Sequence, residues 1–465
     1  MKGEKLLLII LSVLVSVAVG IKKFEGYKVY KVIPKTDYEV KFLQDSQNKG
    51  VLELWDDIYE LKREVRMMVP PQFVELFLSS SKNVGIHAKE VINDMQKAID
   101  KQLESAEGNG RSGSLLSFTW EKYHTLDEIY KWLDDLVREY PDIISNFTIG
   151  TSVEGRPIKG IKIDYNPNRT RKVIGVFEGT LHAREWISPA VVTWIIKEFL
   201  TSTDPDIRSM AENLEWHMIP VVNPDGYVYT FTTNRMWRKN RSRASFTSCA
   251  GVDDDMSNGV DLNRNFDFVW MSVGASDNPC SNTYGGPTAF SEPEAQAVAA
   301  YVRQLHSAGE IIYYISMHSY TQLFIIPYSH VNGTDVLQVS NFGDLYEIAI
   351  RSAERTGSRY GSHYRAGISD EILYKMSGSS FDWVKYATDA PVSMLIELRD
   401  LGEYGFLLPP EQIIPNSLEI MDGLIEMDKT TRLLGYYEAK SGSTAISFSA
   451  SIIAISVVGA ILMLC

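Results

Sequence analysis

Two imidazoles and one carboxylate stand out first among the residues able to do chemistry. His182-Ala183-Arg184-Glu185 sets a histidine and a glutamate three positions apart just after an apolar run, and His318 closes another apolar run far along the chain. On a turn leaving a strand, His182 and Glu185 can face a single point. His318 reaches the same point if its strand ends at the same edge of a sheet. Two His and one Glu leave a fourth position open, which is the composition of a catalytic zinc centre. No HExxH pattern is present, so Glu185 reads as a ligand and not as a general base.

The elements that must position these groups are legible as a pattern. From Thr119 to about Tyr437, apolar strand runs alternate with amphipathic helical stretches, which indicates an α/β fold. Strands are expected at Val173–Glu178, Trp216–Val222, Ile312–Met317 and Val392–Ile396. The last three are nearly continuous apolar runs, as for strands covered on both faces. Each run is followed by polar residues: His182 with Glu185, then Asn223-Pro224-Asp225-Gly226, then His318, then Glu397. In open α/β sheets ligands gather beyond the carboxyl ends of the strands, so the four clusters are expected at one edge. Upstream, residues 22–106 form a separate unit, with a strand expected across Tyr27–Pro34 and a charged helix around Glu90–Leu103. Glu104 to Ser114, with Gly108-Asn109-Gly110-Arg111-Ser112-Gly113, reads as a protease-sensitive linker offering a tryptic site at Arg111.

The stretch from about Tyr123 to Tyr436 resembles the A/B-type zinc metallocarboxypeptidases over essentially their whole catalytic domain. The resemblance rests on Gly179-Thr180-Leu181-His182-Ala183-Arg184-Glu185-Trp186, Asn223-Pro224-Asp225-Gly226-Tyr227 and Arg235-Met236-Trp237-Arg238-Lys239. It continues through Gly259-Val260-Asp261-Leu262-Asn263-Arg264-Asn265, His318-Ser319-Tyr320 and Glu397-Leu398-Arg399-Asp400. It implies a mixed eight-stranded twisted sheet flanked by helices, preceded by a small α+β open-sandwich activation domain that caps the site until cleavage. The implied division is 1–20 signal peptide, 21–111 activation segment, 112–437 catalytic domain and 438–465 tail.

Carried over position by position, the resemblance makes His182, Glu185 and His318 the ligands of one zinc ion per chain. Glu397 becomes the general base and Arg238 the stabiliser of the tetrahedral oxyanion. Asn263 and Arg264 clamp the substrate's terminal carboxylate, and Tyr374 is the mobile tyrosine that closes over the terminal residue. Arg184, Ser319, Tyr320 and Phe406 line neighbouring subsites, and Asp261 holds the second nitrogen of His182. The implied reaction is hydrolysis of the C-terminal peptide bond of peptides and proteins by an enzyme made as a zymogen. Phe381 occupies the position that carries an acidic residue in B-type enzymes. A Phe there cannot pair a Lys or Arg, so apolar C-terminal residues are expected, aliphatic or aromatic. Met376 beside it is bulky, and Ser329 and Ser379 replace glycines of the A-type pattern. An acidic insert, Asp253 to Asn258, lengthens the connection between Cys249 and Asn263.

The two ends bear on location. Met1 to Gly20 combines Lys2 and Lys5 with an apolar run closing on small residues, the pattern of a secretory signal peptide. Ser441-Gly442-Ser443, a spacer and the apolar run Ile452–Cys465 meet the requirements of a GPI-attachment signal, with a retained membrane helix as the competing reading. Of the three cysteines, Cys465 would leave with the tail, and Cys249 can then pair with Cys280. Sequons at Asn146, Asn168, Asn240 and Asn332 fit a glycosylated, extracellular protein. A formal charge of −13 without a basic block excludes nucleic acid as a partner. The expected partners are peptide C-termini and a trypsin-like activating protease, and the expected state is a monomer. The alternative is a catalytically inactive or differently specific homologue that binds peptides. It conflicts with the presence of all three ligands, the base and both arginines. A regulatory-type carboxypeptidase would lack the activation segment and carry a further β-domain.

Overall fold

The computed structural model describes residues 20–55, 61–104, 118–243, 249, 258–331 and 339–438. The expected leader up to Val19, Arg111, the insert up to Ser257, Asn332 and the apolar tail lie outside the described residues.

The first unit runs β1 (Lys28–Val32), α1 (Asp37–Asn48), β2 (Glu53–Leu54), β3 (Val65–Val69), α2 (Val74–Asn83), β4 (Lys89–Ile92) and α3 (Met95–Leu103). Its strands form an antiparallel sheet in the order β2-β3-β1-β4. Side chains alternate across a strand, so the register pairs Tyr30 with Met67 on one face and Val29 with Met68 on the other. The first pair joins Leu43 and Phe77 in this unit's own core. The second pair turns the opposite way, towards the catalytic unit, with Met95 and Ile99. The expected helix over Glu90–Leu103 is corrected here. Lys89–Ile92 pairs with β1, Glu90 meets Lys28 across the strands, and the helix starts only after Asp94 caps the Lys97 amide. The β-branched pair Val91-Ile92 favours the strand, and the Asp cap sets the boundary.

The second unit begins with α4 (Leu126–Glu139), β5 (Ile144–Thr151), β6 (Pro157–Ile163), β7 (Val173–Gly179) and α5 (Ile187–Thr201). It continues with α6 (Pro205–Asn213), β8 (Glu215–Ile219), α7 (Pro224–Thr232), α8 (Pro293–Ala308) and β9 (Glu310–Ser319). It closes with β10 (Leu323–Ile326), α9 (Phe342–Ser358), β11 (Arg365–Ile368), α10 (Ser369–Ile372), α11 (Ser380–Thr388), β12 (Val392–Leu398) and α12 (Ile413–Leu433). The eight strands make one mixed sheet in the order β11-β10-β12-β9-β7-β8-β6-β5, whose four central strands are parallel. That is the sheet expected from the sequence.

Both faces of the central strands are covered, which explains their continuous apolar runs. Tyr313, Ile315 and Met317 of β9 face the larger core with residues of α5, α9 and α12. Tyr314 faces the second core, where α8 and α11 pack. By strand alternation His318 shares the face of Tyr314 and Ser316. Gly175 in β7 is required by packing: a Cβ there would lie 2.2 Å from the Trp216 ring, which fills the larger core. Cys249 and Cys280 form a disulfide.

Candidate active site

The site begins where β7 ends. Thr180 takes a positive φ of 60°, a conformation costly for a β-branched residue. Buried hydrogen bonds hold it: its amide donates to Ser188 Oγ at 3.0 Å and its hydroxyl to the Pro220 carbonyl at 2.9 Å. This turn delivers His182 and Glu185 ahead of α5. His318 arrives from the end of β9. His182 Nδ1 lies 2.7 Å from Glu185 Oε1, and His318 Nδ1 lies 2.9 Å from Glu185 Oε2 and 3.0 Å from His182 Nδ1. The Ser319 amide donates to Glu185 Oε2 at 3.1 Å. Burial alone would raise the Glu185 carboxyl, but His182 and His318 outweigh it and hold the group well below the usual carboxylate range.

Asp261 ties this cluster to two other groups. Its Oδ1 lies 3.0 Å from His182 Nε2 and accepts from the Asn263 amide at 2.9 Å, while Oδ2 accepts from Arg238 Nη2 at 2.7 Å. Burial opposes its ionisation, yet Arg238, His182 and Arg264 hold its carboxyl well below the ordinary range. Fixing Nε2 against Asp261 leaves Nδ1 of His182 as the lone-pair donor. Asn263 and Arg264 follow in a short helical turn, both buried. Arg264 donates through Nε to the Gly274 carbonyl at 2.7 Å, and its Nη2 lies 3.4 Å from the Tyr374 hydroxyl. Met376 Sδ stands 3.8 Å from Arg264 Nη1. Gly378, at φ 71°, passes so close that a Cβ would lie 2.4 Å from the Arg264 carbonyl oxygen. Glu397, on β12, is the register partner of His318 and is half-buried.

A third group of residues named from the sequence, Arg184, Tyr320 and Phe406, is brought together under the first unit. The Arg184 guanidinium lies over the Phe406 ring at 4.1 Å and donates to the Trp55 carbonyl at 3.2 Å. Trp55 packs on Phe406 at 5.5 Å, and Arg66 lies over the Tyr320 ring while donating to the carbonyls of Leu401 and Gly402. Arg63 donates to the carbonyls of Leu373, Asp370 and Glu371, immediately before Tyr374. Trp55, Arg63 and Arg66 had no mark in the sequence as site residues. Their signal was only that of a Trp and two Arg in an otherwise mixed segment.

Three expectations need correction or refinement. Asn240 is not an available glycan acceptor in the folded chain, because it is fully buried and its amide nitrogen donates to Glu292 at 2.6 Å and Glu294 at 3.0 Å. Asn146 and Asn168 are exposed. The Asn223–Gly226 cluster is structural: Asn223 caps α7 through the Gly226 amide, and buried Asp225 pairs with Arg156 and Ser152. Phe381 is wholly buried in the core with Leu323, Ile325 and Leu395, one residue beyond the Ser380 amide that donates to Asn263 Oδ1.

The donor set fits a zinc ion. Two ring nitrogens turned towards each other at 3.0 Å in a buried site repel unless a cation or shared proton lies between them. Glu185 adds the carboxylate, and all three ligand atoms lie within 4.8 Å of one another. A zinc carboxypeptidase family model matches residues 129–423, and a carboxypeptidase activation peptide model matches residues 30–102. The chain belongs to the zinc carboxypeptidase family. It is 37% identical to zinc carboxypeptidase A 1 of Anopheles gambiae, covering 93% of this chain and 96% of that one. It is 42% identical to a zinc carboxypeptidase of Simulium vittatum, covering 68% of this chain and 99% of that one. Among solved structures it is similar to thrombin-activatable fibrinolysis inhibitor, with a TM-score of 0.77, 30% identity and coverage of 87% and 98%. This carboxypeptidase is therefore a zinc metallopeptidase that carries an activation peptide, is activated by proteolysis and acts on peptides.

Proposed function

We propose that the carboxypeptidase removes single apolar residues from peptide C-termini. The observation that carries the reading is convergence: the His182-Glu185-His318 triad, the register partner Glu397 and the buried Asn263-Arg264 pair all meet at one sheet edge.

In this reading His182, Glu185 and His318 hold zinc, which when bound supplies Lewis acidity for the scissile carbonyl and lowers the pKa of water. Glu397 takes a proton from the attacking water and returns it to the leaving amine nitrogen. Arg238, held against Asp261, faces the carbonyl oxygen on which negative charge grows. Arg264 and Asn263 hold the free terminal carboxylate, and Tyr374 closes over the terminal residue. Gripping that carboxylate beside the reacting bond confines cleavage to the last residue. Met376, beside Arg264, gives the terminal side chain an apolar neighbour, and Phe381, in the core behind, presents no carboxylate to pair a cation. The names of the carboxypeptidase A relatives agree with that preference.

The activation segment holds the enzyme latent by covering Arg184, Tyr320 and Phe406 with Trp55 and Arg66. The activation segment spans 21–111 and the catalytic domain 112–437, with tryptic cleavage after Arg111; the family matches at 30–102 and 129–423 lie on either side of that bond. A leader at 1–20, glycans at Asn146, Asn168 and Asn332, and a tail from 438 that tethers the chain by a GPI anchor place a monomeric enzyme outside the cell. Among the described residues no helix is long and apolar enough to cross a membrane. The test is release of C-terminal Leu, Ile, Val or Phe against Lys and Arg by the trypsin-treated chain. Faster release of Lys or Arg would overturn the pocket reading.

A further inference from the structure

One buried carboxyl near the site belongs to neither the ligand set nor the base. Glu178 ends the apolar run of β7 and is 1% exposed. In register it pairs with Ser316 of β9, one pleat repeat behind His318. Its Oε1 accepts from the Ser380 hydroxyl at 2.6 Å, and that hydroxyl lies 3.5 Å from Ser316 Oγ. Burial raises the Glu178 carboxyl, and the hydroxyls of Ser380, Ser316 and Tyr314 offset this only in part. A buried carboxyl costs stability unless it is hydrogen-bonded, so the Ser380 hydroxyl is what holds Glu178 in place.

What it holds is the start of α11. The Ser380 amide donates to Asn263 Oδ1 at 2.9 Å. With Oδ1 occupied, the Asn263 amide has one orientation, which sets Nδ2 3.5 Å from His318 Nε2, on the side of the metal ligands. Ser380 is thus bonded at one end to Glu178 and at the other to Asn263. The three residues are 202 and 117 positions apart in the chain and meet only through the sheet.

We propose that Glu178 is a positioning residue: acting through Ser380, it fixes the Asn263 amide so that its N–H groups meet the substrate's terminal carboxylate. This rests on the reading of Asn263 as part of the carboxylate clamp. A Gln at position 178 keeps an acceptor for Ser380 and the same shape. An Ala removes the acceptor and leaves the Ser380 hydroxyl without its partner. The cost of one misdirected hydrogen bond to a carboxylate corresponds to about tenfold in binding.

The test uses the full chain after proteolytic activation, loaded with zinc, and measures inhibition by 3-phenylpropanoate together with KM and kcat on a peptide ending in Leu. Glu178→Ala is expected to weaken phenylpropanoate binding and raise KM about tenfold, with kcat changed less. Glu178→Gln is expected to stay within about twofold of the parent. Ser380→Ala, which keeps the amide but removes the link, should follow Glu178→Ala and serves if that variant does not fold. Combining Glu178→Ala with Asn263→Ala should cost no more than Asn263→Ala alone, since both act through one amide. If Asn263→Ala leaves phenylpropanoate binding unchanged, the clamp reading fails. If Asn263→Ala weakens it while folded Glu178→Ala and Ser380→Ala do not, or if the double variant is additive, the positioning role is overturned.

Discussion

Glu397 and His318 are register partners on the adjacent parallel strands β12 and β9. Neighbouring strands lie about 4.8 Å apart, and paired residues point to the same face. A carboxylate is thereby held beside one imidazole of the His182-Glu185-His318 cluster by the sheet itself, without dependence on a loop.

If Glu397 moves the proton, Glu397→Gln should keep substrate binding and lose turnover. The expected fall in kcat is about 10²- to 10⁴-fold with KM nearly unchanged. Steady-state kinetics on one peptide checks this, with zinc content measured alongside. A kcat within a factor of three of the parent would remove Glu397 from the mechanism.

Chelation should abolish activity, and added zinc should restore it. Zinc should also raise the unfolding midpoint, since a ligand at about 100 times its Kd stabilises the folded state by about 2.7 kcal/mol. His318→Ala should lose both the activity and the zinc-dependent shift, because the remaining His182 and Glu185 offer only two ligand atoms. Calorimetry with and without zinc reads this out.

Latency should depend on Trp55. Its ring lies against Phe406 in an apolar cluster shared by Met68 and Met95 on one side and Tyr320 and Leu407 on the other. Trp55→Ala should raise the activity of the uncleaved chain several-fold and leave the activated enzyme unchanged, since Trp55 is not part of it. Rates before and after trypsin decide the point. An unchanged uncleaved rate would show that the cap does not act through this contact.

A pH prediction follows from Asp382. Burial pushes its carboxyl up to about 7, although the Ser329 amide donates to Oδ2 at 3.0 Å and the Ser379 and Ser329 hydroxyls pull the other way. A carboxyl raised in the folded state favours folding below its unfolded pKa of 3.8 and loses that contribution as pH rises through about 7. Stability should therefore fall across this window with a slope of about one proton from this group. Asp382→Asn should flatten the profile by that amount. Denaturant unfolding at several pH values measures it, and parallel profiles would contradict the assignment.

The sheet and the triad were legible because their signals are local. β9 and β12 are buried on both faces, so each reads as one apolar run ending in a polar residue. His182 and Glu185 are three apart on one turn. The contacts that were not legible join distant segments. Glu178 looked like the end of a strand until β7 was placed beside β9, with α11 against it. Trp55 is 129 residues from Arg184, and only the docking of the activation unit brings them together. Glu90 to Ile92 misled for a different reason: charged residues on an edge strand carry no apolar alternation to set them apart from a helix.

The central claim is that this carboxypeptidase cuts one residue at a time because it grips a free terminal carboxylate beside its zinc site. Two peptides of identical sequence ending in Leu, one with a free carboxylate and one amidated, test it most directly. With the trypsin-activated, zinc-loaded enzyme, mass spectrometry should show stepwise loss of single residues from the free peptide and none from the amidated one. Equal cleavage of both, cleavage at internal bonds, or no cleavage of either would contradict it.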